Sequence, residues 1–250
     1  MKIAAFIQAY NELSKGHLHR CLENVSIWAD EIFIYDDCSD DGSKEIYLQY
    51  TPEKNIIFGK ERNFKNEQFN KQKLLDLTLK NNPDWIFWID VDTIADKILT
   101  NNLKSILLEL DSLGIDGAVC HNLNLWRHPA FARLDDSFDT CNPVCLWKNN
   151  GKLNYSPTSG LHGQMYPNGM DKIVRLNCNL LHYGFASEDW IISKYKMYKS
   201  LGQTGWALDR LITEGPEFKV TKIPIELFPE KNIPEDYNKV EYLNAKGKLI

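Results

Sequence analysis

Hydrophobic positions in this chain gather into short unbroken runs, and the runs are separated by stretches with helical spacing. Lys2 to Ala9 (KIAAFIQA) is nearly all apolar, as is Ile32 to Tyr35 (IFIY). Between them Leu18, Cys21, Leu22, Val25 and Trp28 recur on one helical face, which predicts an amphipathic helix with Ser14 placed to cap it. Together these make a βαβ unit. A short helical segment, a strand over Ile56 to Phe58, a helix from about Asn66 to Lys80 and a strand from Trp85 to Ile89 follow. Apolar runs that alternate with helices predict a parallel sheet covered on both faces, and hence an α/β fold.

Further on, Thr100 is placed to cap a helix carrying Leu103, Ile106, Leu107, Leu110 and Leu113, with Gly114 to end it. Gly117 to Leu123 reads as a strand, and an irregular acid-rich span, WRHPAFARLDDSFDTCNP, succeeds it. Val144 to Trp147 and Lys152 to Tyr155 flank Asn149-Asn150-Gly151, a turn that predicts a hairpin. A loop containing Leu161-His162-Gly163, a strand over Ile173 to Tyr183 and a helix from Ser187 to about Gly202 complete the regular pattern. From Pro216 the chain is charged and proline-punctuated, which predicts a wrapping tail.

Composition narrows the class. With 250 residues, 43% of them hydrophobic and 25% charged, the chain can bury a full core in one large domain. No run approaches the roughly 18 apolar residues of a membrane helix, and the first residues lack a signal-peptide pattern, so a cytoplasmic protein is expected. A net charge of −5 without a basic tract argues against a nucleic-acid partner. The six cysteines are scattered, which fits a reducing compartment. Cys141 and Cys145 form a lone pair that leaves a zinc site open.

The stretch with the clearest chemistry is Asp84 to Asp96, DWIFWIDVDTIAD. Its apolar strand ends in Asp90 and Asp92, which on a continuing strand would share a face about 7 Å apart. Paired anions on a buried strand are costly, and the nearest lysine in sequence is Lys97. They are better placed where the strand leaves the sheet, around a hard dication such as Mn2+ or Mg2+ that also takes phosphate oxygens. A helix-capping Asp92 beside a surface Asp90 is the competing reading. Similar pairs of readings hold elsewhere. Asp36 and Asp37 suit a turn as well as a ligand contact. Glu67 and Lys71 suit an ordinary surface ion pair, and Ser187-Glu188-Asp189 suits a helix N-terminus.

Taken together, AYNE (Ala9 to Glu12), WADEIFIYDDCSDDGS (Trp28 to Ser43) and WIFWIDVDT resemble glycosyltransferase family 2 in order and separation. DDCSDDGS satisfies every position of the family pattern after the second strand, while Gln8 stands where many members carry proline. The resemblance covers about the first 115 residues. Beyond them LHG, LLHYGF and SEDWIISKYKMY are similar to segments of bacterial members that build surface polysaccharide.

That resemblance implies a GT-A fold: residues 1–115 as the donor nucleotide half, 116–215 as the acceptor and catalytic half, and 216–250 as the tail. It implies a nucleoside diphosphate sugar donor, a UDP-sugar first among them, and a glycan or lipid-linked acceptor at the inner face of a membrane. Ala9, Tyr10, Asn11 and Glu12 would contact base and ribose, Asp37 would accept from the base, and Lys71 would reach the nucleotide. Asp92 would bind the dication, with Asp90 supporting ribose or the ion's water. His182 is a candidate further ligand or phosphate contact, and His162 an acceptor or phosphate contact. Inverting transfer needs a base, for which Asp189 is the first choice and Glu188 the reserve, while Asp135, Asp136 and Asp139 compete. Two other functions fit parts of the pattern. A haloacid-dehalogenase-like phosphatase shares the strand ending in Asp-x-Asp but wants Thr or Val where Ile94 stands, and a non-catalytic sugar-nucleotide module would keep the donor half alone.

Overall fold

The structure is a computed structural model that describes residues 1–135, 137–140, 142–156 and 164–242. Its strands are β1 (Ile3–Ala9), β2 (Glu31–Asp36), β3 (Ile56–Phe58), β4 (Trp85–Trp88), β5 (Thr93–Ala95), β6 (Gly117–Asn124), β7 (Phe131–Arg133), β8 (Val144–Lys148), β9 (Ile173–His182) and β10 (Val220–Lys222). The α-helices are α1 (His17–Trp28), α2 (Ser43–Tyr50), α3 (Glu67–Leu79), α4 (Lys97–Ser112), α5 (Ser137–Thr140), α6 (Glu188–Ser200) and α7 (Trp206–Asp209). Chain contacts divide these into two compact units: Met1–Cys120 with Pro143–Cys178, and His121–Asn142 with Asn179–Ile250.

The main sheet has the order β3-β2-β1-β4-β8-β6-β9-β5. β1 pairs parallel with β2 and β4, β2 pairs parallel with β3, and β8 runs antiparallel between β4 and β6. The unbroken apolar runs form these strands because both faces of the sheet are covered. Within the first unit Phe6 meets Trp147 at 5.3 Å, Trp88 meets Trp147 at 6.1 Å, and Trp28 meets Phe87 at 4.7 Å. In register Ala9 lies opposite Asp36 and Phe6 opposite Trp88, so the carboxyl ends of β1, β2 and β4 are neighbours. That is where an open α/β sheet presents its ligand site.

In the second unit β7 and β10 form an antiparallel ribbon, which draws the segment after Pro216 into regular pairing. Trp126, Phe131, Phe138, Ile191, Leu208, Leu211 and Tyr242 make its core. The acid-rich span that looked irregular supplies β7 and the short α5 of this unit.

Three local expectations are corrected. Ser14 does not cap α1; the chain enters the helix through Gly16, whose φ of 70° is left-handed and suited to glycine. Thr100 lies inside α4, where its hydroxyl donates to the Ala95 carbonyl and accepts from Asn24, while Asp96 caps the helix by accepting from the Leu99 N–H at 2.8 Å. The Asn-Gly turn does not close a hairpin. β8 is already paired on both sides, so Lys152 to Tyr155 has no edge to join, and Asn154 instead bridges Asn168.

Candidate active site

The loops that leave β1 and β2 are tied to each other. The Asn11 N–H donates to Ser39 Oγ at 2.9 Å and its amide to Asp40 at 2.7 Å, while the Asp40 N–H returns to Asn11 Oδ1 at 2.9 Å. The Leu13 N–H donates to Asp41. Asn11 adopts φ 49°, a left-handed conformation that asparagine tolerates. Glu12 faces its own loop, bonding His17 Nδ1 at 2.7 Å and Lys15 Nζ at 2.8 Å. Burial pushes the His17 pKa down, against the pull of Glu12 and Asp92. Tyr10 lies under Arg62, whose guanidinium sits 3.7 Å from the ring centroid.

The two aspartates after β2 have separate duties. Asp36 is spent on its own turn: one oxygen accepts from the Ser39 N–H and the other from the buried Tyr47 hydroxyl at 2.7 Å. Asp37 accepts through Oδ1 alone, from the Asn63 N–H at 2.8 Å and the Asn70 amide at 3.3 Å, which leaves Oδ2 for a ligand. Burial raises the Asp37 pKa, and the Asn63 bond and the Arg62 charge partly oppose it.

Asp90 and Asp92 stand beyond the end of β4, on a turn closed by the Thr93 N–H donating to the Asp90 carbonyl at 2.9 Å. Asp92 leads into β5 and caps no helix. Asp90 is solvent-exposed and accepts from the Trp88 indole at 3.1 Å; Asp92 is half-buried. Glu67 and Lys71 are not the surface pair that their spacing suggests. Lys71 is 2% exposed, with Nζ 4.0 Å from Glu67, 3.4 Å from the Met165 carbonyl and 4.4 Å from the Trp88 ring centroid. Among the described residues no group of three or more His, Cys, Asp or Glu side chains is assembled to hold a metal ion. The Asp90 and Asp92 carboxylates are hard oxygen donors of the type that Mg2+ or Mn2+ takes beside water and phosphate oxygens. Of the lone cysteine pair, Cys145 is buried in the sheet and Cys141 lies outside the described residues.

The second unit holds the remaining candidates. His182 Nδ1 bonds Asn124 Oδ1 at 2.7 Å, and the ring packs edge-on against Phe185 at 5.1 Å. Glu188 pairs with Arg127 at 2.5 Å, and Arg127 also bonds Glu214 and the Tyr242 hydroxyl. Asp189, in the first turn of α6, is exposed and has no side-chain partner among the described residues. Asp135 is buried and bound bidentate to Arg133 at 2.7 and 2.8 Å. Asp139 bonds His121 at 2.9 Å. His162 and Asp136 lie outside the described residues.

The sequence model of glycosyl transferase family 2 matches residues 5–124. Residues 5–124 belong to glycosyltransferase family 2. The parallel β3-β2-β1-β4 core, with its helices, is the GT-A fold. No curated protein matches the chain. Among solved structures, S. aureus TarS 1–349 in complex with UDP-GlcNAc is 19% identical at a TM-score of 0.40, over 50% of this chain and 35% of that one. The complex with UDP gives the same identity and score, over 50% and 36%. TarS 1–349 alone is 13% identical at a TM-score of 0.48, over 85% and 69%. This chain thus spans about a third of the length of the first two TarS structures.

Within the family 2 region, four contributors escaped the sequence reading: Arg62 over Tyr10, Asn63 and Asn70 on Asp37, and Trp88 on Asp90. Position was the available signal for Arg62 and Asn63, which follow the carboxyl end of β3. Trp88 passed for core because it is core, apart from its N–H.

No helix among the described residues is long and apolar enough to cross a membrane.

Proposed function

We propose that this chain is an inverting, dication-dependent glycosyltransferase that moves a sugar from a nucleoside diphosphate sugar, with a UDP-sugar the first choice, to a hydroxyl of a glycan or lipid-linked acceptor in surface polysaccharide synthesis. The reading is carried by one observation. The loops after β1 and β2 are stitched together beside the Asp90 to Asp92 turn, at the carboxyl ends of adjacent parallel strands, in the region that belongs to family 2.

The surroundings of the described residues support the following roles. The Tyr10 ring and Asp37 Oδ2 receive the base, with Ala9 and Asn11 shaping the loop and Glu12 bracing it. Asp92 is the metal ligand, and Asp90 supports the ribose or the ion's water shell. A dication held there offsets the charge that grows on the diphosphate as the glycosidic bond breaks. Asp189 takes the proton of the acceptor hydroxyl. It suits this better than Glu188, whose carboxylate is already matched to a guanidinium. His182 stays secondary as a further ligand or phosphate contact, and His162 as an acceptor or phosphate contact.

Purified protein given a panel of sugar nucleotides tests the reading. Manganese-dependent release of nucleoside diphosphate supports it. Phosphate release from phosphomonoesters would instead indicate the phosphatase, and tight binding without turnover a non-catalytic module.

A further inference from the structure

Lys71 is unusual among the charged residues of the first unit because it is buried yet poorly matched. Its ammonium has three protons to place. The partners it finds are a long contact to the Met165 carbonyl, a 4.0 Å approach to Glu67, and the face of Trp88. Such a cation is costly to bury unless the surroundings put its charge to use. The Trp88 ring is itself fixed, since it lies opposite Phe6 in the sheet and against the buried Trp147. Its one polar atom, Nε1, points out of this core and donates to Asp90 at 3.1 Å.

We propose that Lys71 is a positioning residue for Asp90 that acts through the Trp88 indole. A cation on the face of an indole draws electron density toward itself, so the N–H at the ring edge becomes a stronger donor. Bound to that donor, the exposed Asp90 carboxylate is held in one orientation at the tip of β4, beside Asp92. The role differs from direct contact between Lys71 and the nucleotide, and it rests on the site proposed above only for its effect on ligand affinity.

Two readouts on the full chain test it. In proton–nitrogen correlation spectra without ligand, the Trp88 indole resonance is the one that Trp88→Phe deletes. Lys71→Met, which keeps the stem and removes the charge, moves this resonance upfield and speeds its exchange with water, whereas Lys71→Arg holds it near its original position. A resonance that ignores Lys71→Met, with thermal melting showing the variant folded, overturns the relay. Calorimetry with UDP supplies the second readout. Trp88→Phe and Lys71→Met each weaken binding in manganese by about tenfold, the usual scale for a lost hydrogen bond to a charged acceptor. Both leave metal-free binding unchanged. The double variant loses no more than the worse single one, because both changes cut one path. Losses that multiply, or a Lys71→Met loss that persists in chelator, assign Lys71 to the nucleotide itself and overturn the relay. If the wild type binds UDP equally with and without manganese, the metal reading of Asp90 and Asp92 fails, and the resonance alone decides the relay.

Discussion

Replacing Asp135 by Asn should unfold the second unit rather than silence a base. Asp135 is 6% exposed and Arg133 2%. Their two hydrogen bonds, at 2.7 and 2.8 Å, match fork to fork. The guanidinium also lies over Trp126, Phe138 and Phe218 at 4.3–4.8 Å and donates to the Arg210 carbonyl, so it cannot swing out to water without dismantling that core. An asparagine offers one acceptor where two are needed, turns its amide protons toward the guanidinium, and leaves a buried cation uncompensated. Breaking a pair of this kind costs about 3–5 kcal/mol. At a slope of about 2 kcal/mol per molar, the urea midpoint falls by roughly 2 M. The double variant Arg133→Met with Asp135→Leu should recover most of the loss, because apolar replacement of a buried pair is often close to neutral. Urea unfolding followed by circular dichroism and tryptophan fluorescence, with transfer measured per folded molecule in the cold, checks both statements. An Asp135→Asn protein as stable as the wild type but unable to transfer would refute the reasoning and make Asp135 the base.

Three further outcomes follow from the same geometry. Burial raises the Asp37 pKa, so the ionised acceptor is lost above the usual carboxylate range as pH falls. UDP affinity should therefore drop early on acidification, and Asp37→Asn should bind weakly with a flat pH profile; a variant profile as steep as the wild type places the titration elsewhere. The His17 pKa is lowered in the fold by burial, so its contribution to stability is complete above the unfolded value near 6.5 and is lost as pH falls below it. Melting temperature should decline from pH 7 to 5 in the wild type and decline less in His17→Gln, and equal slopes would refute this. Asp189→Asn should keep UDP affinity and lose about 10²- to 10⁴-fold in kcat, whereas full activity would move the base to the neighbourhood of Asp139.

Much of the first unit was legible because its strands are buried on both faces. The runs at Ile3–Ala9, Glu31–Asp36, Ile56–Phe58 and Trp85–Trp88 carry only Gln8, Glu31 and Asp36 as strongly polar positions, all at or near strand ends, and the turn chemistry of DDCSDDGS begins at the end of one of them. The parts that were hidden depend on distant partners. Ser14 and Thr100 are good caps by local preference, but Gly16 supplies a backbone conformation and Asn24 claims the Thr100 hydroxyl from across the fold. The burial of Lys71 was out of reach for a related reason. α3 buries Gln68, Asn70, Lys71 and Thr78, so its inner face carries the polar residues that a periodicity argument assigns to solvent. The division between Asp36 and Asp37 needed Tyr47 and Asn63 in place, and neither is near them in sequence. β5 was missed because three residues between a turn and a helix carry no period.

Crystals soaked with UDP and manganese test the central claim most directly, through the anomalous signal of the metal. The account predicts a peak beside Asp92 that bridges to the diphosphate, with the base on Tyr10 and hydrogen-bonded to Asp37. UDP bound away from the carboxyl ends of β1, β2 and β4, or bound there with no metal at Asp92, would contradict it.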